Sequence, residues 1–274
     1  MIIDSHLHVW SDDFVRYPFY EGRTADAGAP VELLNETMAD AGVDKAVIVQ
    51  PRGYLYDNRY VADCLRRFPG KFAAIGLVNR KAPDAADQLE RLVKEEGFGG
   101  LRIHLSMPED AAEWAVSDQN ATWQRAEDLG VGFIVYGPAA RLPAVEPIIR
   151  RFPNVSVVLD HIGGAPTDEE SPYPLLSNVL RLADCPKVYV KFTPQGHKSN
   201  SPYPHEDTYP TFRRIYDAFG PERLMWGTDF PGVLNSCGYV PALELFRTHM
   251  DFLTGADKEW LFSKTAMKVW KFGD

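Results

Sequence analysis

Eight short apolar segments, each followed by a helical stretch, limit this chain to very few folds. The apolar segments are Ile2–Val9, Ala46–Gln50, Phe72–Val78, Gly100–Leu105, Gly132–Gly137, Val155–His161, Val188–Thr193 and Leu224–Gly227. Between them, helical spacing of apolar residues runs over Val31–Ala41, Arg59–Phe68, Asp84–Glu96, Asn120–Leu129, Arg141–Phe152, Pro174–Ala183 and Tyr209–Phe219. Gly42, Pro69-Gly70, Gly97, Gly130 and Gly220 punctuate the ends. Two further helices are expected near Val240–Met250 and Lys258–Phe272. Strands alternating with helices imply parallel strands in βαβ units. Eight such units in 274 residues predict an α/β fold of the (β/α)8 TIM-barrel type rather than an open doubly wound sheet. The open sheet would want a glycine-rich fingerprint after the first strand, where this chain has His-Val-Trp-Ser. No linker or composition shift divides the chain, so one domain over 1–274 is expected.

With 45% apolar residues the chain has enough material for a large core. Its net charge of -9 argues against nucleic acid or an anionic membrane as partner. A small-molecule substrate remains, and even an anionic one, because a pocket's local charge can oppose the global sign. The three cysteines, Cys64, Cys185 and Cys237, have no paired spacing and read as reduced thiols of a cytoplasmic protein. The first strand begins at the initiator Met, which leaves no room for a signal peptide. No apolar run reaches the roughly 18–20 residues of a membrane span. Aromatic residues in the loops leave room for a homo-oligomer.

Chemistry in such barrels gathers at the C-terminal ends of the strands. The first strand, in D-S-H-L-H-V-W, puts His6 and His8 on one face, about 6–7 Å apart along the chain, with Ile3, Ser5, Leu7 and Val9 on the other. Such a pair can grip a metal or polarise one substrate group. The other strand ends supply Gln50 with Arg52 just beyond, Arg102 and His104, Tyr136, His161 beside Asp160, Lys191, and Asp229 in W-G-T-D-F-P. Four of the seven histidines thus fall at strand ends. Plainer roles compete with functional ones: Lys191 as a pocket wall, Arg102 as a bridge between strands, Tyr136 as packing. Asp160 reads as a support for His161 or nearby backbone.

The segments D-S-H-L-H-V-W at 4–10, G-L-R-I-H at 100–104, L-D-H-I-G-G at 159–164 and W-G-T-D-F-P at 226–231 resemble the amidohydrolase superfamily. They are most similar to its amidohydrolase-related branch of TIM-barrel metal-dependent hydrolases, which includes 2-pyrone-4,6-dicarboxylate lactonases and sugar lactonases. The resemblance extends to Q-P-R-G-Y-L-Y-D-N-R-Y at 50–60 and T-A-M-K-V-W at 265–270. Members that hold zinc tightly carry a histidine at the end of strand five, where this chain has Tyr136. The resemblance implies His6, His8 and Asp229 as ligands of one divalent metal, zinc or manganese, with His161 or His104 as a further ligand, or a metal-independent site.

The function expected is hydrolysis of a lactone or similar cyclic ester. Asp229 would activate water, while His6, His8 and His161, with or without a metal, polarise the carbonyl. Arg102 and Arg52 would hold a substrate carboxylate, and His104, Tyr136, Gln50 and Lys191 would line the substrate site. The loops over Trp10–Tyr20 and His197–His205 would cover it. The alternatives are a zinc-dependent decarboxylase of an aromatic or enoic acid, a two-metal amide or phosphoester hydrolase, and a binding protein on a degenerate barrel.

Overall fold

Inward- and outward-facing side chains alternate along parallel strands, and this alternation organises the molecule. The structure is a computed structural model describing residues 1–22, 27–106 and 119–273. Residues 23–26 of the expected 11–30 loop lie outside the described residues. The strands are β1 (Ile3–Leu7), β2 (Lys45–Val49), β3 (Phe72–Ile75), β4 (Gly100–His104), β5 (Gly132–Tyr136), β6 (Val157–Leu159), β7 (Val188–Phe192) and β8 (Leu224–Trp226). Each pairs in parallel with its sequence neighbours within the groups β1–β3 and β4–β8. Parallel bridges at Gly76–Leu101 and Leu7–Phe230 close the two seams. The result is an eight-stranded barrel, the fold expected from the sequence.

The main helices are α1 (Val31–Ala41), α2 (Arg59–Arg67), α3 (Ala85–Glu96), α4 (Asn120–Leu129), α5 (Leu142–Arg151), α6 (Pro174–Leu180) and α7 (Tyr209–Phe219). The C-terminal part is more broken than the sequence suggested. Short helices α8 (Tyr239–Glu244), α9 (Gly255–Glu259) and α10 (Thr265–Val269) are joined to π-helical turns at Leu245–His249 and Trp260–Lys264. A capping box between Thr254 and Asp257 starts α9 earlier than apolar spacing indicated. No helix of the described residues is long and apolar enough to cross a membrane.

Two apolar layers result. Leu101, Ile103, Phe133, Val157, Leu159, Val188, Val190, Leu224 and Trp226 face out and pack under the helices. Ile3, Val47, Val49, Ala73, Ile75, Ile134, Val158, Tyr189 and Met225 face in and fill the lower barrel, where Ala266 and Trp270 plug its base. Ile3 is a correction to the sequence reading, which placed it with Leu7 and Val9. The β1–β2 register slips between Asp4 and Leu7, where two steps on β2 match three on β1. One extra residue switches the face. Ile3 therefore points inward below His6, while Leu7 and Val9 face the helices.

Candidate active site

The upper barrel interior carries charge in place of apolar packing. Asp160, just past β6, sits at its centre. Its Oδ2 accepts from Arg102 Nε at 3.0 Å and lies 2.8 Å from Arg102 Nη2. Its Oδ1 lies 3.0 Å from Lys191 Nζ and 3.1 Å from His6 Nδ1. Asp160, Lys191 and His6 have no exposed side-chain surface. Burial opposes the charge on Asp160, but His6, Lys191 and Arg102 hold its carboxyl well below the usual carboxylate range. Burial also pulls the Lys191 ammonium down to about 8, against the pull of Asp160. Asp160 thus supports His6 rather than the His161 that follows it in sequence.

Next to this ion cluster His6, His8, His161 and Asp229 come together. His6 and His8 are packed edge to face with ring centres 5.1 Å apart, and His6 and His161 likewise at 4.5 Å. Asp229 Oδ1 lies 3.4 Å from His6 Nε2 and 3.6 Å from His8 Nε2. The His8 ring is oriented by its Nδ1, 2.8 Å from the carbonyl of Val49. A carbonyl only accepts, so Nδ1 carries the proton and Nε2 presents a lone pair. Burial, with His6 and Arg102 nearby, pulls His8 down to about 3, and burial with His6 pulls His161 to about 3. Both rings are neutral at pH 7. Burial of Asp229 is outweighed by the close approach of His6, 3.4 Å away, and by the neighbouring imidazoles, so its carboxyl is held well below the usual range.

Backbone geometry aims these groups. His161, Ile162, Gly163 and Gly164 all have positive φ, 50°, 54°, 68° and 67°. A Cβ on Gly164 would meet the Gly137 carbonyl oxygen at 2.0 Å, so only glycine allows this left-handed turn to pack against the end of β5. Asp229 has φ 65°, a strained conformation for a non-glycine residue. Asp4 holds that turn from below. Its carboxylate accepts from Thr228 N at 3.0 Å, Thr228 Oγ1 at 2.5 Å, Tyr239 OH at 2.9 Å and His6 N at 3.1 Å. Asp4 opens the D-S-H-L-H-V-W motif, whose spacing assigns it no partner. Its donors lie up to 235 residues away, so no local pattern could have revealed them.

The mouth divides into two lobes that share Tyr136, His161 and Asp229. One, of about 410 Å³, is walled by Trp10, Phe19, Arg52 and Arg102. The other, of about 420 Å³, is walled by Ser106, Pro138, His197 and Lys198. The first wall comes from a loop pinned at its neck by paired hydrogen bonds between Trp10 and Ala29, with Phe19 seated on Gly53. Arg52 is exposed at the rim and, among the described residues, forms no ion pair. The Arg102 guanidinium lies over the Tyr136 ring at 4.4 Å while Asp160 holds it.

Three residues expected at the substrate site, Lys191, Gln50 and His104, are not among those that wall these two lobes. Lys191 is sealed beneath the His6 ring. Gln50 turns its amide into the following loop and donates to Asp57 O at 2.8 Å and Leu55 O at 3.2 Å. His104 packs its ring on Tyr136 with ring centres 5.5 Å apart, and among the described residues neither nitrogen has a hydrogen-bond partner.

The donor set fits a divalent ion. His8 Nε2 and the ionised Asp229 Oδ1 face each other with lone pairs, and among the described residues His6 Nε2 has no hydrogen-bond partner. Ligand atoms around a tetrahedral zinc with bonds of ~2.0–2.1 Å stand roughly 3.3 Å apart, close to the 3.4 and 3.6 Å found here. His161 can join, since one donor atom each from His6, His161 and Asp229 lie within 4.8 Å of one another.

The chain belongs to the amidohydrolase family, whose model matches residues 3–272. It is 29% identical over 238 residues to the L-fucono-1,5-lactonase of Burkholderia ambifaria, covering 84% of this chain and 80% of that one. It is 25% identical over 236 residues to the 4-sulfomuconolactone hydrolase of Hydrogenophaga intermedia, covering 83% and 74%. Among solved structures, an amidohydrolase from Burkholderia multivorans with bound zinc superposes with a TM-score of 0.82 over 98% of each chain, at 23% identity.

Proposed function

We propose that this protein hydrolyses the ring ester of a small, carboxylate-bearing lactone. One observation carries this reading: an ionised Asp229 at the open end of β8, ringed by His6, His8 and His161 at the floor of a two-lobed cavity. Two relatives whose names specify lactones support it.

Asp229 takes a proton from water as the oxygen attacks the lactone carbonyl carbon. The acyl–oxygen bond of the ring then breaks, and the leaving ring oxygen takes that proton back. Negative charge grows on the carbonyl oxygen meanwhile. His161 can meet it with an N–H. Thr193 Oγ1 lies 3.0 Å from His161 Nδ1 and already accepts from Gln195 Nε2 at 2.9 Å. With the Thr193 proton pointed at Nδ1, the imidazole proton would stand on Nε2. His8 has no such proton to give, so its part is to hold an ion with His6 and Asp229. A divalent ion bound there would polarise the carbonyl and acidify the attacking water. Asp229 has two oxygens, one to hold the ion and one to take the proton. Arg52, exposed at the rim and without an ion-pair partner among the described residues, receives a substrate carboxylate.

A panel of γ- and δ-lactones with and without a free carboxylate, assayed before and after chelator treatment, tests the reading. Hydrolysis of carboxylated lactones that falls with chelator and returns with zinc or manganese is the expected result. Release of carbon dioxide from aromatic acids, with every lactone untouched, would overturn it.

A further inference from the structure

His6 Nδ1 has two neighbours at equal distance and of opposite character. Asp160 Oδ1, an acceptor, lies 3.1 Å away, and Lys191 Nζ, a donor, also lies 3.1 Å away. Lys191 and Asp160 are themselves 3.0 Å apart, so the three atoms form a closed triangle without exposed side-chain surface. A metal-binding histidine usually gives its far N–H to one acceptor, which fixes its tautomer. This histidine has a donor there as well. Each tautomer therefore finds a partner. With the proton on Nδ1, Asp160 accepts it and Nε2 is bare. With the proton on Nε2, Lys191 donates to Nδ1 and the Nε2 proton points at Asp229 Oδ1, 3.4 Å away.

We infer that Lys191 is a positioning residue that gives His6 a metal-free resting tautomer, with the proton on Nε2, and that a divalent ion moves this proton to Nδ1. The physical cause lies on the Asp229 side. Without an ion, a bare Nε2 would face an ionised carboxylate, lone pair to lone pair, inside the protein. The tautomer that Lys191 supports puts an N–H there instead, and the Lys191 ammonium, 3.1 Å from Nδ1 and 3.0 Å from Asp160 Oδ1, offsets the lone-pair contact that Nδ1 then makes with Asp160. With an ion present, Nε2 must be bare, and Asp160 takes over at Nδ1. No proton is gained or lost in the exchange, which transfers one proton between the two nitrogens of a single ring. Lys191 thus has a task although it is sealed from substrate, and the second reading of this site, as one that stands without metal, acquires a structural basis. Only the ion arm of the inference rests on the proposed metal site.

Nitrogen-15 NMR of histidine-labelled protein tests it, with His6 assigned by the signals missing from His6→Gln. In the metal-free wild type, Nε2 of His6 should be the protonated nitrogen and Nδ1 the bare one. Zinc alone, titrated to one equivalent, should reverse them. In metal-free Lys191→Met, Nδ1 should become protonated, since only the Asp160 acceptor remains beside it. A proton on Nδ1 in the metal-free wild type would overturn the inference, and that spectrum depends on no variant folding. If zinc leaves the wild-type signals unmoved, the metal site falls. The wild type and Lys191→Met still decide the role of Lys191.

Discussion

His8 Nε2 and Asp229 Oδ1 stand 3.6 Å apart, each presenting a lone pair to the other. The arrangement is fixed from behind, because the His8 proton lies on Nδ1 facing the Val49 carbonyl. Two acceptors held face to face call for a cation, a proton or water between them. A divalent ion held between them would satisfy both lone pairs.

Stability should fall as the solution is acidified from neutrality. Burial holds His8 and His161 at about 3 and His104 at about 2 in the fold, while an unfolded histidine titrates near 6.5. Between these values the unfolded chain binds more protons, so stability rises with pH and is lost on the way down. Each ring contributes up to roughly 1.4 kcal/mol per pH unit in that window. Asp160, depressed in the fold, acts in the same direction at lower pH. Thermal melts followed by circular dichroism should show Tm dropping steeply from pH 6.5 to pH 4. A flat Tm over that interval would show that these rings are protonated in the fold.

Asp4 touches no part of the cavity, yet its loss should damage both fold and rate. Asp4→Ala strips the acceptor from Thr228, Tyr239 and the His6 amide at once. Leaving these donors buried should cost roughly 2–4 kcal/mol. The Asp229 turn loses its anchor, so kcat should fall more than KM rises. Denaturant unfolding and steady-state kinetics on the same variant check both parts.

Arg52 should control recognition without controlling chemistry. Removing a charge-assisted contact worth about 1.5–3 kcal/mol predicts that Arg52→Met raises KM for carboxylated lactones by ~10-fold or more, with kcat little changed. Neutral lactones should show no such effect. An equal rise for both classes would place the carboxylate elsewhere, with Lys198 in the second lobe the next residue to test.

The barrel was legible because its evidence repeats. Eight apolar strands with helices between them leave little choice, and strict alternation put Arg102, His104 and Tyr136 on inward faces. His6, His8, His161 and Asp229 were legible for the same reason, as polar residues where buried strands end. What was hidden depended on breaks in alternation or on distant partners. The slip between Asp4 and Leu7 turns Ile3 inward, and nothing in I-I-D-S-H marks it. Asp160 was read beside its sequence neighbour His161, but its partners His6, Arg102 and Lys191 come from three other strands. Gln50 ends a strand as expected, then curls into its own loop, which spacing cannot show. The second lobe was foreseen only as a covering loop, since its lining by His197 and Lys198 depends on how residues 193–207 fold back.

In the proposed mechanism Asp229 is the base that activates water. The direct measurement is the kcat of Asp229→Asn on a lactone that the wild type hydrolyses, with circular dichroism confirming an intact fold. Loss of a positioned base predicts a fall of about a thousandfold. A folded Asp229→Asn with kcat within tenfold of wild type would contradict the account.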